Sequence, residues 1–229
     1  MIRQSPLCSS LIRKGLVVMV LAGLVACAPK VVVEDYALRP GLDELLAGLE
    51  KDVSAFDSLR GLAKITYLNN GDRKSANHVV IADYPGKIRL ETLGLFGSPM
   101  MLAATDGNRA VVLLPGEGRA FSGPAGTGFL RKVTRLPLTA KMVVSILLRR
   151  PDLLPAQNVT VDYLPDGVSR LHLVDGRLAQ EIDFNHARQL VRVAYLADGE
   201  AVSAISYADY VDGFPQTITI EMADRAISV

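Results

Sequence analysis

From Leu42 onward the apolar residues recur at Leu42, Leu45, Leu46, Leu49, Val53, Phe56 and Leu59, the three-and-four spacing of a single helical face. Asp43 and Glu44 stand at its start, where the helix dipole favours negative charge. Past Arg60 the period falls to two. Ala63, Ile65 and Tyr67 alternate with Lys64 and Thr66, and Ile88 and Leu90 with Lys87, Arg89 and Glu91, the pattern of half-buried strands. The alternation returns at Val159/Val161/Tyr163, Leu171/Leu173, Ile182/Phe184, Val191/Val193/Tyr195, Ile205/Tyr207 and Ile218/Ile220/Met222. Between these runs lie Asn70-Gly71, Asp106-Gly107, Asp166-Gly167, Asp175-Gly176, Asp198-Gly199 and Asp212-Gly213, pairs that readily take the positive φ of tight hairpins. Connections this short permit only antiparallel pairing, so the chain meanders.

A second helical pattern interrupts the meander. Thr139 is placed to cap a helix over Ala140 to Arg150, with Met142, Val143, Ile146 and Leu147 on one side, and Pro151 stops it. Val144 and Leu148 widen the apolar arc beyond what packing on one sheet face requires. Before it, Gly116 to Gly128 is glycine-rich and reads as a mobile loop. The order is one helix, five or six strands, an inserted helix and about six more strands, a mainly β, α+β fold. So long an antiparallel meander tends to close or half-close into a barrel, because open edges invite aggregation. Its inner face, which takes Ile65, Tyr67, Ile88 and Leu90, is aliphatic. Either a packed core or a lipid-sized cavity satisfies that pattern.

The N-terminus has a different character. Arg3, Arg13 and Lys14 precede an apolar core from Leu16 to Val25, the plan of a secretory signal. That core is too short to span a bilayer, which needs about 20 apolar residues. Cys27 follows Leu24-Val25-Ala26 directly, and the run resembles a bacterial lipobox, in which the thiol is alkylated by diacylglycerol before cleavage. An ordinary signal cut near Ala26 is the alternative, and Cys8, with no apolar run before it, is the weaker lipidation candidate. On the lipobox reading residues 1–26 are a signal peptide, 27–40 a lipid-anchored tether and 41–229 the folded domain. Two or more acyl chains give stable anchoring where one gives marginal binding. Ala28, in place of the aspartate that often retains lipoproteins at the inner membrane, points to the outer membrane, with the domain facing the periplasm.

Composition narrows the functions. The chain has 25 Lys+Arg and 24 Asp+Glu, and loss of the three signal cations leaves 22 against 24, no basic excess for nucleic acid. With Cys8 removed and Cys27 acylated, no thiol remains for a disulfide, so the fold must hold by its core. Tryptophan is absent, which leaves the burial mainly to Leu, Val and Ile. His78, His172 and His186 lack ligand spacing for a metal. Gly123-Pro-Ala-Gly-Thr-Gly128 imitates a phosphate loop, but Phe129 and Leu130 occupy the positions of its Lys and Ser/Thr. No Gly-x-Ser-x-Gly elbow occurs, and the carboxylates fall in turns and on polar strand faces, so no enzyme and no cofactor is expected.

One segment breaks the polar rule for turns. Lys87-Ile-Arg-Leu-Glu-Thr-Leu-Gly-Leu-Phe-Gly-Ser-Pro-Met-Met-Leu102 sets Leu95 and Phe96 between two strands. Together with Arg131-Lys-Val-Thr-Arg-Leu-Pro-Leu138 and the helix ending Leu147-Leu-Arg-Arg-Pro151, it resembles the outer-membrane lipoprotein receptor family LolB, in order from about Gly61 to Pro151 and more loosely to the C-terminus. The resemblance implies a half-open antiparallel β-barrel of about eleven strands with a helical lid. Its cavity would receive acyl chains of other lipoproteins from a periplasmic LolA-like carrier. It also implies a membrane-contacting role for Leu95 and Phe96, with Phe96 matching best the protruding apolar residue of that family. Two features depart from the family pattern: the family's tryptophans are missing, and Ala226-Ile-Ser-Val229 ends in what reads as mid-strand. The expected function is an anchored, non-catalytic lipid-handling protein: Met142, Val143, Ile146 and Leu147 form the lid, and Ile65, Tyr67, Ile88 and Leu90 line the cavity. The alternative is an envelope scaffold or sensor with a filled barrel.

Overall fold

The computed structural model describes residues 39–69, 71–126, 128, 138–222 and 225–229. Cys27, the signal, tether residues 27–38 and the Arg131–Pro137 part of the resemblance lie outside them.

Helix α1 runs Leu42–Ala55, and its Leu45 and Leu49 are buried. The helical spacing continues in the sequence to Leu59, but the helix ends earlier: Phe56 takes an extended conformation and Leu59 already lies in a strand. Six strands follow as consecutive hairpins: β1 Ser58–Asn69, β2 Asp72–Asp83, β3 Lys87–Leu93, β4 Pro99–Thr105, β5 Arg109–Leu114 and β6 Arg119–Pro124. The glycine-rich stretch read as a mobile loop is therefore ordered over most of its length: Pro115–Glu117 forms one 3-10 turn and β6 pairs with β5 from Leu114↔Arg119 to Arg109↔Pro124. Cross-strand hydrogen bonds there outweigh the weak strand propensity of Ser122-Gly123-Pro124.

Helix α2, Ala140–Leu147, is capped as the sequence predicts, the Met142 amide donating to Thr139 Oγ1 at 3.1 Å. It stops three residues short of the predicted Arg150. Arg149 adopts a left-handed φ of 56°, which breaks the helical path before Pro151 is reached.

Seven strands follow among the described residues: β7 Asn158–Tyr163, β8 Ser169–Asp175, β9 Leu178–Phe184, β10 Leu190–Ala197, β11 Glu200–Val211, β12 Phe214–Met222 and β13 Arg225–Ser228. The thirteen strands among the described residues exceed the eleven that the resemblance implies. Two hairpins turn through Asp-Gly pairs with both residues at positive φ, Asp198 (53°) with Gly199 (81°) and Asp212 (49°) with Gly213 (76°).

All thirteen strands form one antiparallel sheet in the order β6-β5-β4-β3-β2-β1-β13-β12-β11-β10-β9-β8-β7. The four-residue β13 is the stitch. It pairs with β1 (Thr66↔Ser228) on one side and β12 (Thr219↔Ser228) on the other, joining the two meanders. The two edges, β6 and β7, flank the connection that carries α2. In a flat sheet β2 and β8 would stand roughly 34 Å apart at about 4.8 Å per strand. Yet Val80 and Ala82 of β2 share one core cluster with Leu171 and Leu173 of β8, through Leu45 and Leu49 of α1 and Val144, Leu147 and Leu148 of α2. The sheet curls around both helices and stays open at the β6/β7 seam.

Candidate functional site

Helix α2 crosses the concave side of the sheet. Its N-terminal end packs on β2 and β3, where Gly86 lies against Lys141, and its pocket-facing stripe looks toward β10–β12. Between them is a cavity of about 560 Å³. Leu138, Met142, Ser145 and Ile146 form its roof; Val193 and Tyr195 of β10, Ser203, Ile205 and Tyr207 of β11, and Ile220 and Met222 of β12 form its floor. Arg150, Pro151 and Asp152 complete the lining. Volume and lining both lie in the range of small-ligand sites.

The polar groups of the lining are mostly engaged. The Tyr207 hydroxyl donates to the Ile146 carbonyl at 3.1 Å, and burial pushes its ionisation far above the usual phenol range. Burial also raises Tyr195, whose hydroxyl meets the Gln180 side chain. Gln180, fully buried, holds the strap after the helix: its Oε1 accepts from the Leu154 amide at 2.8 Å and its Nε2 donates to the Asp152 carbonyl at 3.1 Å. Ser145 Oγ is the exception: buried in the roof, it has no hydrogen-bond partner among the described residues.

The C-terminal end of α2 is fixed by two arginines. Arg149, 2% exposed, donates to Asp52 of α1 at 3.3 Å and sits 5.5–5.9 Å from the ring centres of Phe56, Tyr210 and Phe214. Such cation–π contacts strengthen when desolvated. Arg150 donates Nε and Nη2 to the Phe56 carbonyl at 3.1 and 2.9 Å, and Nη2 also meets Asp57 at 2.5 Å. Among the described residues, the N-terminal end of α2 carries the Thr139 cap, the buried Leu138 and Ala140, the Gly86 contact and an exposed Lys141–Asp152 pair at 3.5 Å, with no arginine anchor.

The residues named from sequence fall into three places. Met142 and Ile146 line the cavity, whereas Val143 and Leu147 of the same helix pack into the surrounding core. Ile65, Tyr67, Ile88 and Leu90 lie half-buried on the concave side of β1 and β3 against that core, and the cavity itself is lined by β10–β12. Leu95 and Phe96 are 100% and 98% exposed. They occupy the two central positions of a turn in which the Gly97 amide donates to the Gly94 carbonyl at 3.0 Å and the Gly94 amide to the Ser98 carbonyl at 2.8 Å. Gly97, at φ 76°, supplies the left-handed residue that closes it. Sequence reading assigned no role to Ser145, Tyr207 or Arg149. The adjacent Arg149-Arg150 before Pro151 is the signal that could have found the fixed end, since two cations closing an apolar helix need partners when buried.

A LolA-superfamily protein from Nitrosomonas europaea is similar in structure, with a TM-score of 0.50 at 10% sequence identity over 81% of this chain and 89% of that one. The fold is LolA-like. A DUF1329-family protein from Desulfovibrio piger gives a TM-score of 0.48 at 12% identity, covering 80% of this chain and 89% of that one. A Vibrio parahaemolyticus domain named for outer-membrane lipoprotein sorting gives 0.45 at 9% identity, over 81% and 87%. Identities this low speak to the fold alone. No protein-family model and no curated protein sequence matches the chain. Among the described residues, no helix is long and apolar enough to cross a membrane and no group of His, Cys, Asp and Glu could hold a metal ion.

Proposed function

We propose that this is an outer-membrane lipoprotein, acylated at Cys27, that takes acyl chains into the cavity under α2 and passes them to the bilayer. The observation that carries the reading is the pairing, on one LolA-like sheet, of an apolar cavity with a turn whose Leu95 and Phe96 stand wholly in water. Two large apolar side chains held outward by a hydrogen-bonded turn gain nothing from the fold. They gain on entering a bilayer, at roughly 1.5–3 kcal/mol per side chain. The anchor keeps that turn at the membrane surface, and a soluble LolA-like carrier is the partner that would bring the acyl chains. Transfer needs no covalent chemistry, since apolar surface simply exchanges one dry environment for another.

Delivery is tested with the acylated chain reconstituted in vesicles and offered a fluorescent lipoprotein on a soluble carrier. Phe96→Asp is expected to abolish delivery and leave uptake of acyl chains by the cavity intact. Unchanged delivery removes the membrane role of the turn. A second reading, an envelope scaffold or sensor with a filled barrel, draws on the complete burial of Leu171, Ile182, Leu190 and Val193 in β8–β10. Absence of any acyl-chain uptake would favour it.

A further inference from the structure

We infer that the cavity is built for one acyl chain carrying a carbonyl or carboxyl end, received at Ser145 and Arg150; this rests on the acyl-binding reading above. The first observation is capacity. A methylene occupies about the room of a water molecule, roughly 30 Å³, so a 16-carbon chain needs roughly 480 Å³ and three such chains roughly 1,400 Å³. The cavity offers about 560 Å³. That is room enough for one chain.

The roof cannot easily lift to make more room. The Tyr207–Ile146 bond spans the cavity from floor to roof, and Arg149 and Arg150 tie the end of α2 to Asp52, Phe56 and Asp57. Enlarging the cavity would break a buried bond and pull a buried guanidinium from its partners. Among the described residues the Met142 end has no such arginine tie, and both Met142 and Val202 are exposed there, which gives a chain its entry.

The second observation is chemical. Ser145 Oγ is a buried hydroxyl with no partner among the described residues, and it lines an otherwise apolar roof. A buried hydroxyl without a partner is unfavourable, and an acceptor oxygen from a ligand removes that penalty. Five residues on, Arg150 lines the same cavity with 11% of its side chain exposed. Its Nε and Nη2 are committed to Phe56 and Asp57, whereas Nη1 makes none of those bonds. Asp152, paired with Lys141 at 3.5 Å, also lines the cavity, and Ser145 and Arg150 are the donors at the C-terminal end of α2. The hydrocarbon runs back along Ile146 and Met142 toward the rim.

The test uses the full chain held in amphipol and two fluorescent probes: cis-parinaric acid, one chain with a carboxyl, and diphenylhexatriene, a hydrocarbon with no oxygen. Parinaric acid is expected to saturate at one molecule per protein. Palmitate and monopalmitoyl glycerophosphocholine, competing separately, distinguish a free acid from a monoacyl ester, and either displacing the probe supports the inference. Ser145→Ala should weaken parinaric acid roughly two- to tenfold, the size of one neutral hydrogen bond, without moving diphenylhexatriene. Ser145→Thr, which keeps the hydroxyl, should restore binding. Saturation at two or three chains overturns the capacity argument, and an unchanged or equal effect of Ser145→Ala on both probes overturns the role of the hydroxyl. Binding of neither probe would instead overturn the acyl-binding reading itself.

Discussion

The two halves of the sheet are finished differently. From β8 to β10 the inner face is tightly packed up to the cavity floor: Leu171, Ile182 and Leu190 are fully buried, Phe184 nearly so, and Val193 is buried where it meets the cavity. The outer face of the same strands is an ion network. Arg170 grips Asp183 in fork geometry at 2.6 and 2.8 Å, and Glu181 accepts from Arg170 at 3.2 Å and from Arg192 at 3.0 Å. From β4 to β6 the outer face instead pairs Leu102 with Leu113 and Ala104 with Val111, leaving Val111 and Leu113 substantially exposed. Met100, Leu95 and Phe96 continue this exposed apolar surface toward the β3–β4 turn. The contrast separates two jobs. Core burial and charge pairing in one half supply stability; the other half keeps apolar surface in reserve, which only a non-aqueous environment would reward.

The largest expected effect tests that division directly. Phe184→Ala should lower unfolding free energy by about 3–5 kcal/mol, because it opens a cavity in the tightly packed half. Leu113→Ala, equally apolar but on the outer face of β5, should shift it by no more than about 0.5 kcal/mol. Urea denaturation of the two variants measures both. Comparable losses would mean that the β4–β6 face carries structural load after all, and the contrast between halves would fall.

Much of this arrangement was legible because it is local. Period-two runs such as Ile182/Phe184, the Asp-Gly turns and the Thr139 cap each lie within a few residues of what they specify. The pairing of β1 with β13 has no such signal: Thr66 and Ser228 come from opposite ends of the chain, and the four-residue β13 is too short to show a period. The same limit hid the cavity. Tyr207, Ile220 and Ile65 all read as inward-facing strand residues, and only the position at which α2 crosses the sheet decides which of them meet empty space. Leu95 and Phe96 were legible for the opposite reason, since apolar residues in a turn contradict the local rule.

A smaller effect sharpens the comparison within the roof. Thr139→Ala removes the side-chain cap of α2 and should cost about 1 kcal/mol locally. Hydrogen exchange at the Met142 and Val143 amides should quicken, while the Leu148 and Arg150 amides, which donate to Val144 and Ser145 carbonyls at 2.9 and 2.7 Å, keep their protection beside the arginine anchors. Uniform loss along the helix would show that its two ends are not independently held.

The smallest effect concerns His78, on the concave side of β2. Its Nδ1 lies 3.1 Å from Thr92 Oγ1 on β3, and burial holds the ring's pKa below the ordinary value of 6.5. The unfolded chain takes up this proton near pH 6.5, while the folded chain resists it until lower pH. Between those two points the unfolded state binds more protons, so the contribution of His78 is fully present above pH 6.5 and is lost as pH falls through the folded-state value. The β8–β10 half has no matching step at Arg170, whose guanidinium Asp183 pushes still higher and which stays charged throughout. His78→Gln keeps a polar partner for Thr92 and removes the titration. Urea midpoints taken from pH 7.5 downward should therefore fall less steeply in the variant than in the parent chain, and hydrogen exchange should place the parent's acid loosening in β2 and β3. Identical pH slopes would mean that the ring is solvated in the folded state, and that the β1–β6 half is no more acid-sensitive than its neighbour.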